Sequence, residues 1–307
     1  MRLHVVTVPY RYDERDNGSG RGPAAMIEAG LIGMLERVGF EVLGPFESAL
    51  PESDRVDGPI AVNVGRLGAH TAEHVHIARR EGGVALVLSG DDTATVGVVS
   101  GLQRAHGAGA AIGIVWLDAH GDFNTPETSY SGILAGMPVA ILAGLAGPLW
   151  RGAAGLSAPV STDRILIAGV RELDEREATL LRSTDVQVIT SGDVDSGNAL
   201  AKAIQRLDRS CAMMCLHIDL DLLDPSLVPS SATPSPDGLT IDQAARLIGD
   251  VLATGKVAVL SVAGLNPGAG PLGKTSVSSA MALIERAVPA WRAAGNAAER
   301  QGGHGES

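Results

Sequence analysis

The chain is expected to fold as an α/β protein, a three-layer α-β-α arrangement around a mainly parallel central sheet. Two observations lead there. Short, unbroken apolar runs alternate with longer amphipathic or alanine-rich segments along the sequence. The runs lack the in-out alternation of a half-exposed strand, so both faces of the sheet must be covered, as helical crossovers between parallel strands cover them. A third observation bears on function: two of the runs end in acidic clusters, and ligands of such sheets bind beyond the carboxyl ends of the strands.

Taken in order, residues 3–8 read as a strand, residues 18–22 as a glycine-rich turn and residues 23–37 as a helix. The turn carries Arg21 but lacks the GxxxxGK[ST] order of a phosphate loop. Residues 45–59, polar and punctuated by proline, form a surface loop rather than a domain boundary. A helix follows over residues 65–81, where His70, His74 and His76 stand beside Glu73, Arg79 and Arg80; that mixture is a solvated face, not a second metal site. Residues 84–88 are a strand, Asp91 caps a helix over residues 93–106, and residues 112–117 are the next strand. Beyond them, strands at residues 164–168, 186–189, 213–218 and 257–262 alternate with helices at residues 174–182, 197–207, 240–253 and 276–291. Residues 295–307 are small and polar and are expected to be a disordered tail.

Length and composition limit the classes. With 307 residues, of which 45% are hydrophobic, the chain can bury one large core, so a single domain over residues 1–294 is expected. The net charge of -11 disfavours nucleic acid and anionic membrane surfaces, because binding to phosphates rests on clustered Lys and Arg. No targeting segment and no bilayer-length apolar run is evident, and the chain reads as soluble and cytoplasmic. Cys211 and Cys215 are not spaced as a zinc pair and read as small buried hydrophobes.

The acidic clusters carry the chemistry. Alternate side chains of an extended segment point the same way, so Asp118, His120 and Asp122 can converge at one strand end, and Asp219 and Asp221 at another. For either cluster alone, an N-cap aspartate beside a satisfied histidine is as good an account as a metal site. Two such clusters, each closing a buried-type strand, favour the metal. Carboxylates with one or two imidazoles suit hard or borderline divalent ions such as manganese, and more carboxylates than one ion needs suggest two ions with shared ligands.

The order Ser89-Gly90-Asp91-Asp92, then Asp118-Ala119-His120-Gly121-Asp122-Phe123-Asn124-Thr125-Pro126, then Asp219-Leu220-Asp221-Leu222-Leu223-Asp224-Pro225, then Asn266-Pro267, resembles the ureohydrolase family of arginase and agmatinase. The resemblance runs from the N-terminus to about Trp291. It implies a single catalytic domain with an arginase/deacetylase-like fold, two Mn²⁺ ions, and hydrolysis of a guanidino or amidino carbon to release urea or a relative. It also implies a homo-oligomer, trimeric or hexameric. By the same resemblance Asp118 and Asp219 bridge the ions, His120 and Asp221 hold one of them and Asp122 the other. A water shared by two cations loses its proton near neutral pH, and Asp122 would pass a proton to the departing amine. Asp122 and His120 are therefore the candidate catalytic residues.

Three departures from the family pattern stand out. Asp92 occupies the position of a metal-binding histidine, which would leave the first ion in an almost wholly carboxylate shell, or weakly held or absent. His217, two residues before Asp219, reads as a buried structural histidine rather than its replacement. Ala135 stands where arginases place a histidine near the scissile group, and Gly264 stands where an acid grips the guanidinium. Losing that charge-assisted contact costs roughly 1.5 to 3 kcal/mol, so ordinary arginine is not the expected substrate. The rim that recognises the amino-acid end is largely kept in Asn124, Ser131, Asp174 and Glu177, although Ile133 replaces an asparagine; Thr233 matches a pocket threonine. Capping alone would also account for Asp174 and Glu177. The pattern is similar to that of the biosynthetic branch acting on hydroxylated guanidines. A single-metal amide hydrolase and a non-catalytic binding homologue remain open; metal count and urea release discriminate them.

Overall fold

The computed structural model describes residues 1–195, 198–268 and 270–302, with side chains as far as residue 296. Its strands are β1 (Arg2–Val8), β2 (Tyr10–Arg11), β3 (Glu14–Arg15), β4 (Glu41–Glu47), β5 (Val84–Ser89), β6 (Ile112–Leu117), β7 (Ile165–Val170), β8 (Gln187–Thr190), β9 (Met213–Asp219) and β10 (Val257–Ala263). The helices are α1 (Gly22–Glu28), α2 (Leu31–Val38), α3 (Ile60–Arg80), α4 (Thr95–His106), α5 (Pro138–Leu142), α6 (Pro148–Ala154), α7 (Glu175–Arg182), α8 (Ala199–Ser210), α9 (Ile241–Leu252) and α10 (Pro271–Gly302). Apart from the small β2-β3 hairpin, the strands form one sheet in the order β4-β1-β5-β10-β9-β6-β7-β8. Every neighbouring pair in it is parallel.

Period-two side-chain direction divides the core into two layers. Leu3 and Val5 of β1, Leu86 and Leu88 of β5, and Val115 and Leu117 of β6 face a cluster built with α1, α2, α8, α9 and α10. Val6 and Val8, Ala85 and Val87, and Ile114 and Trp116 face the opposite cluster, built with α3, α4, α5, α6 and α7. The expected three-layer α-β-α fold is present, and the continuous apolar runs are strands buried on both sides.

Several elements differ from the expectation. β4 lies at the sheet edge, largely exposed, with Gly44 and Pro45 inside it; an edge strand needs no apolar run and tolerates proline, so it carried no strand signal. The helix expected over residues 23–37 is two helices, because Gly30 takes φ 92°, a left-handed turn that an α-helix cannot continue through. α5 and α6 were not anticipated; each starts with proline, which suits a helix's first position but reads as a breaker in a short segment. α10 runs through Gly302 instead of ending at Trp291, so much of the expected tail is helical, and residues 303–307 lie outside the described ones. Among the described residues no helix is long and apolar enough to cross a membrane. Cys211 and Cys215 are buried free thiols, as expected.

Candidate active site

Four neighbouring strands, β5, β10, β9 and β6, end at one place and deliver the acidic groups there. Asp91 and Asp92 follow β5, Gly264 follows β10, Asp219 ends β9 with Asp221 just beyond, and Asp118 to Asp122 follow β6. β9 and β6 pair in register, Trp116 beside His217 and Leu117 beside Ile218, which sets Asp118 level with Asp219. The five aspartates at positions 92, 118, 122, 219 and 221 are all buried.

Two sets of ligand atoms cluster tightly enough to hold an ion: Asp118, His120 and Asp221, and Asp92, Asp118 and Asp122. Asp118 belongs to both. Its Oδ2 accepts from the indole Nε1 of Trp116 at 3.0 Å, and its Oδ1 accepts from the backbone N–H of His120 at 2.7 Å. The His120 Nδ1 lies 3.2 Å from both Asp118 Oδ1 and Asp221 Oδ2. Asp221 is steadied by the hydroxyl of Thr233 on Oδ2 at 2.8 Å. Asp219 lies outside both sets: its Oδ1 accepts from the Asp221 N–H at 2.7 Å, and it packs against Gly264.

The electrostatics of the cluster call for cations. Burial, then repulsion among the carboxylates, pushes Asp92, Asp122 and Asp219 well above the usual carboxylate range and Asp118 in the same direction. Burial opposes a charge on His120, yet its hydrogen bonds to Asp118 and Asp221 prevail and push it up to about 12. Burial also acts against ionised Asp221, but the contact with His120 holds it below the usual range. A proton on Nδ1 of His120 thus stands where a metal ion would serve both carboxylates. Asp122 Oδ2 is buried with no hydrogen-bond partner, and an orphaned carboxylate oxygen in an acidic cluster is what a cation satisfies. The donor set therefore fits divalent ions.

His217 is fully buried, as read from sequence, and stacks on Trp116 with ring centroids 3.8 Å apart. It is nevertheless part of the site. Its Nε2 lies 3.0 Å from Asp92 Oδ1, and its Nδ1 lies 2.8 Å from the Thr95 hydroxyl. The sequence carried no signal for this, because β5 and β9 are joined only through β10. Asp91 caps the turn before α4, as expected, its side chain accepting from Thr93 N–H.

The rim residues differ in kind. An open cavity of about 770 Å³ is lined by the aspartates together with Asn124, Ser131, Asp174, Glu177 and Thr233. Asn124 Nδ2 donates to Asp174 Oδ2 at 3.3 Å, and Ser131 is exposed beside Ile133. Glu177 is buried, and both its oxygens are engaged, one by the N–H of Phe123 at 2.8 Å and the other by the N–H of Asp174 at 3.3 Å. It closes a capping box on α7 and pins the loop that carries Asp122. Burial pushes its carboxyl up to about 7.

Fold and site together define an α/β protein with a carboxylate-rich cation site at the ends of its central parallel strands. The family model described as the arginase family matches residues 1–288. The arginase of Neurospora crassa is 31% identical over 283 residues, covering 86% of this chain and 78% of that protein. The arginase of Bacillus caldovelox superposes with a TM-score of 0.82 at 28% identity, over 93% of this chain and 97% of that one. A Bacillus subtilis arginase structure superposes equally, at 0.82 and 25% identity, over 94% and 98%. The chain belongs to the arginase family.

Proposed function

We propose that this protein is a hydrolase that uses two manganese ions to cleave a C–N bond of a linear guanidine or amidine, releasing urea or a substituted urea. The observation that carries the reading is the pair of candidate ion sets sharing Asp118 in one cavity whose rim carries Asn124, Ser131 and Asp174. A shell of carboxylates with one imidazole suits manganese. When bound, such a pair supplies Lewis acidity and a water acidic enough to attack near neutral pH.

The chain's own groups supply the rest. Trp116 and the backbone of His120 hold Asp118 so that it faces both sets, and Thr233 holds Asp221. Asp122 Oδ2, free of any partner in the described structure, is the atom that carries a proton to the departing amine. Asn124, Ser131 and Asp174 receive the amino-acid end of the substrate, while Glu177 fixes the loop between them and Asp122. The reactive end meets Ala135 and Gly264, neither of which can grip a guanidinium. The substrate is accordingly arginine-like with a modified, less basic reactive end, a hydroxylated guanidine being the simplest.

The test is metal per chain by elemental analysis after manganese loading, with a colorimetric screen for urea or hydroxyurea from arginine, hydroxyarginine, agmatine and guanidinobutyrate. About two ions with product from one compound supports the reading; one ion or none, with no product, would sink it.

A further inference from the structure

The segment between Asp221 and α9 lines the candidate site with little scaffold of its own. Its two ends are bridged where Asp224 N–H donates to Leu239 O at 3.0 Å and Leu239 N–H to Leu222 O at 3.0 Å, and between them it brings Thr233 to the cavity wall. From Ala232 to Gly238, among the described residues, no backbone N–H or C=O pairs with another backbone group. Pro234 and Pro236 have no N–H to give. Ser235 is nevertheless only 3% exposed, and a buried carbonyl needs a donor from somewhere.

Arg171 supplies it. This residue follows β7 directly, and its backbone N–H donates at 2.9 Å to the carbonyl of Ala119, next to His120. Its guanidinium reaches both legs of the segment. On the outgoing leg Nη2 donates to Asp221 O at 2.6 Å and Nη1 to Leu222 O at 3.3 Å. On the returning leg Nε donates to Pro236 O at 2.8 Å and Nη2 to Ser235 O at 3.0 Å. Behind it Gly169 has φ +96°, and a Cβ there would lie 2.2 Å from Leu222 Cδ1, so the end of β7 is bare where the outgoing leg packs on it.

Two properties give this clasp a bearing on the ion site. First, among the described residues every hydrogen bond of the Arg171 side chain goes to a backbone carbonyl and none to a carboxylate, although its charge lies in the field of Asp221 and Asp118. A fork given to the Asp221 carboxylate would compete with an ion for the same oxygens. Given to the Asp221 carbonyl, it holds the residue and leaves the carboxylate to other partners. Second, Thr233 stands two residues before Ser235, whose carbonyl Arg171 holds, and its hydroxyl donates to Asp221 Oδ2 at 2.8 Å. Arg171 therefore fixes Asp221 twice, once by the main chain and once through Thr233.

We propose that Arg171 is a positioning residue for the ion set of Asp118, His120 and Asp221, acting through the Asp221 main chain and the Thr233 hydroxyl. The inference rests on the metal-hydrolase reading above and divides the support of its two ion sets. The set with Asp221 depends on the clasp at Arg171, whereas the set of Asp92, Asp118 and Asp122 is steadied by His217 and Glu177. A lysine at position 171 would keep the charge but not the planar fork, and one ammonium cannot span carbonyls on two legs as a guanidinium does.

The experiment measures manganese binding to the full-length protein by calorimetry, in the wild type, Arg171→Met and Arg171→Lys, and repeats it in the Asp92→Asn and Asp221→Asn backgrounds. Hydrogen exchange over residues 224–239 is followed in the metal-free forms. Arg171→Met is expected to weaken one of the two ions about ten-fold or more, the size of one charge-assisted hydrogen bond, and Arg171→Lys to weaken it less. In Asp92→Asn, where the remaining ion is that of Asp221, the loss should recur. In Asp221→Asn, where it is that of Asp92, Arg171→Met should shift affinity by no more than about two-fold, as independent sites do. Exchange over residues 224–239 should quicken in metal-free Arg171→Met. Should that variant not melt as a folded protein, Arg171→Lys carries the same comparison of backgrounds. Equal weakening in both backgrounds marks a general loosening of the fold and overturns the role, as does unchanged exchange. Two ions bound by Arg171→Met as tightly as by the wild type overturn the role and leave the hydrolase reading standing. A wild type that binds no manganese removes that reading and the role with it.

Discussion

His217 Nε2 lies 3.0 Å from Asp92 Oδ1, with both side chains buried. The family resemblance leads one to expect an imidazole at position 92; here a carboxylate stands there and an imidazole stands directly behind it. Burial lowers the His217 pKa to about 3, so the ring is neutral and holds Asp92 by a hydrogen bond rather than an ion pair. Asp92 shares a candidate ion set with Asp118 and Asp122. A carboxylate fixed from behind by a neutral donor is a positioned ligand, held in one orientation before any ion arrives.

Replacing His217 with Ala should therefore leave Asp92 without its buried donor, at a cost of about 1–3 kcal/mol in stability. It should also lower manganese from about two ions per chain toward one, with His217→Gln recovering part of the loss. Elemental analysis beside urea unfolding reads both effects, and full metal content in His217→Ala would remove the positioning role.

Asp118 is common to both candidate ion sets, whereas Asp92 and Asp221 each belong to one. Asp118→Asn should abolish binding of both ions, and Asp92→Asn and Asp221→Asn should each spare one. Ligand binding only to the folded state raises its stability, so the manganese-induced rise in Tm should vanish in Asp118→Asn and shrink in the other two. An undiminished rise in Asp118→Asn would dismiss Asp118 as the shared ligand.

Gly264→Ala would place a methyl group 2.3 Å from Asp219 Oδ1 on a backbone at φ +82°. The strain is on the order of 1–3 kcal/mol. The denaturation midpoint should fall and Asp219 should be displaced, so restoring a family-like acid at this position should damage the site rather than recreate arginine binding. An unshifted midpoint with unchanged metal content would contradict the packing described here.

Glu177 supplies a pH dependence whose sign is set by its environment. Burial raises its folded pKa to about 7 from the ordinary glutamate value of 4.5, so between those values the folded chain binds more protons there than the unfolded one. Its contribution to stability is present below about 4.5 and is lost as pH rises through about 7, a loss of up to about 3 kcal/mol. Glu177→Gln cannot titrate and, like the protonated acid, keeps one carbonyl acceptor for the N–H groups of Phe123 and Asp174, so it should lack this pH dependence. From about pH 4.5 to about pH 7.5 the wild type should lose stability relative to the variant in urea unfolding. A wild type that instead gains on the variant over that range would refute the assignment.

Much of the fold was legible in the sequence because burial on both faces leaves a local mark. β1, β5, β6, β7, β9 and β10 are continuous apolar runs, and the aspartates follow the last apolar residue of β6 and β9, where a parallel sheet collects its ligands. The edge strand β4, the break at Gly30 and the proline-led α5 and α6 left no such mark, since exposure or a single dihedral defines them. Which strands lie side by side is written in no local pattern. The order β5-β10-β9-β6 decided that Asp92 shares an ion set with Asp118 and that His217 stands behind Asp92. It also placed Gly264 against Asp219. Residue types and their spacing determined the chemistry available to this protein; the pairing of strands distant in sequence decided which groups meet, because contacts across a sheet depend on topology and not on separation along the chain.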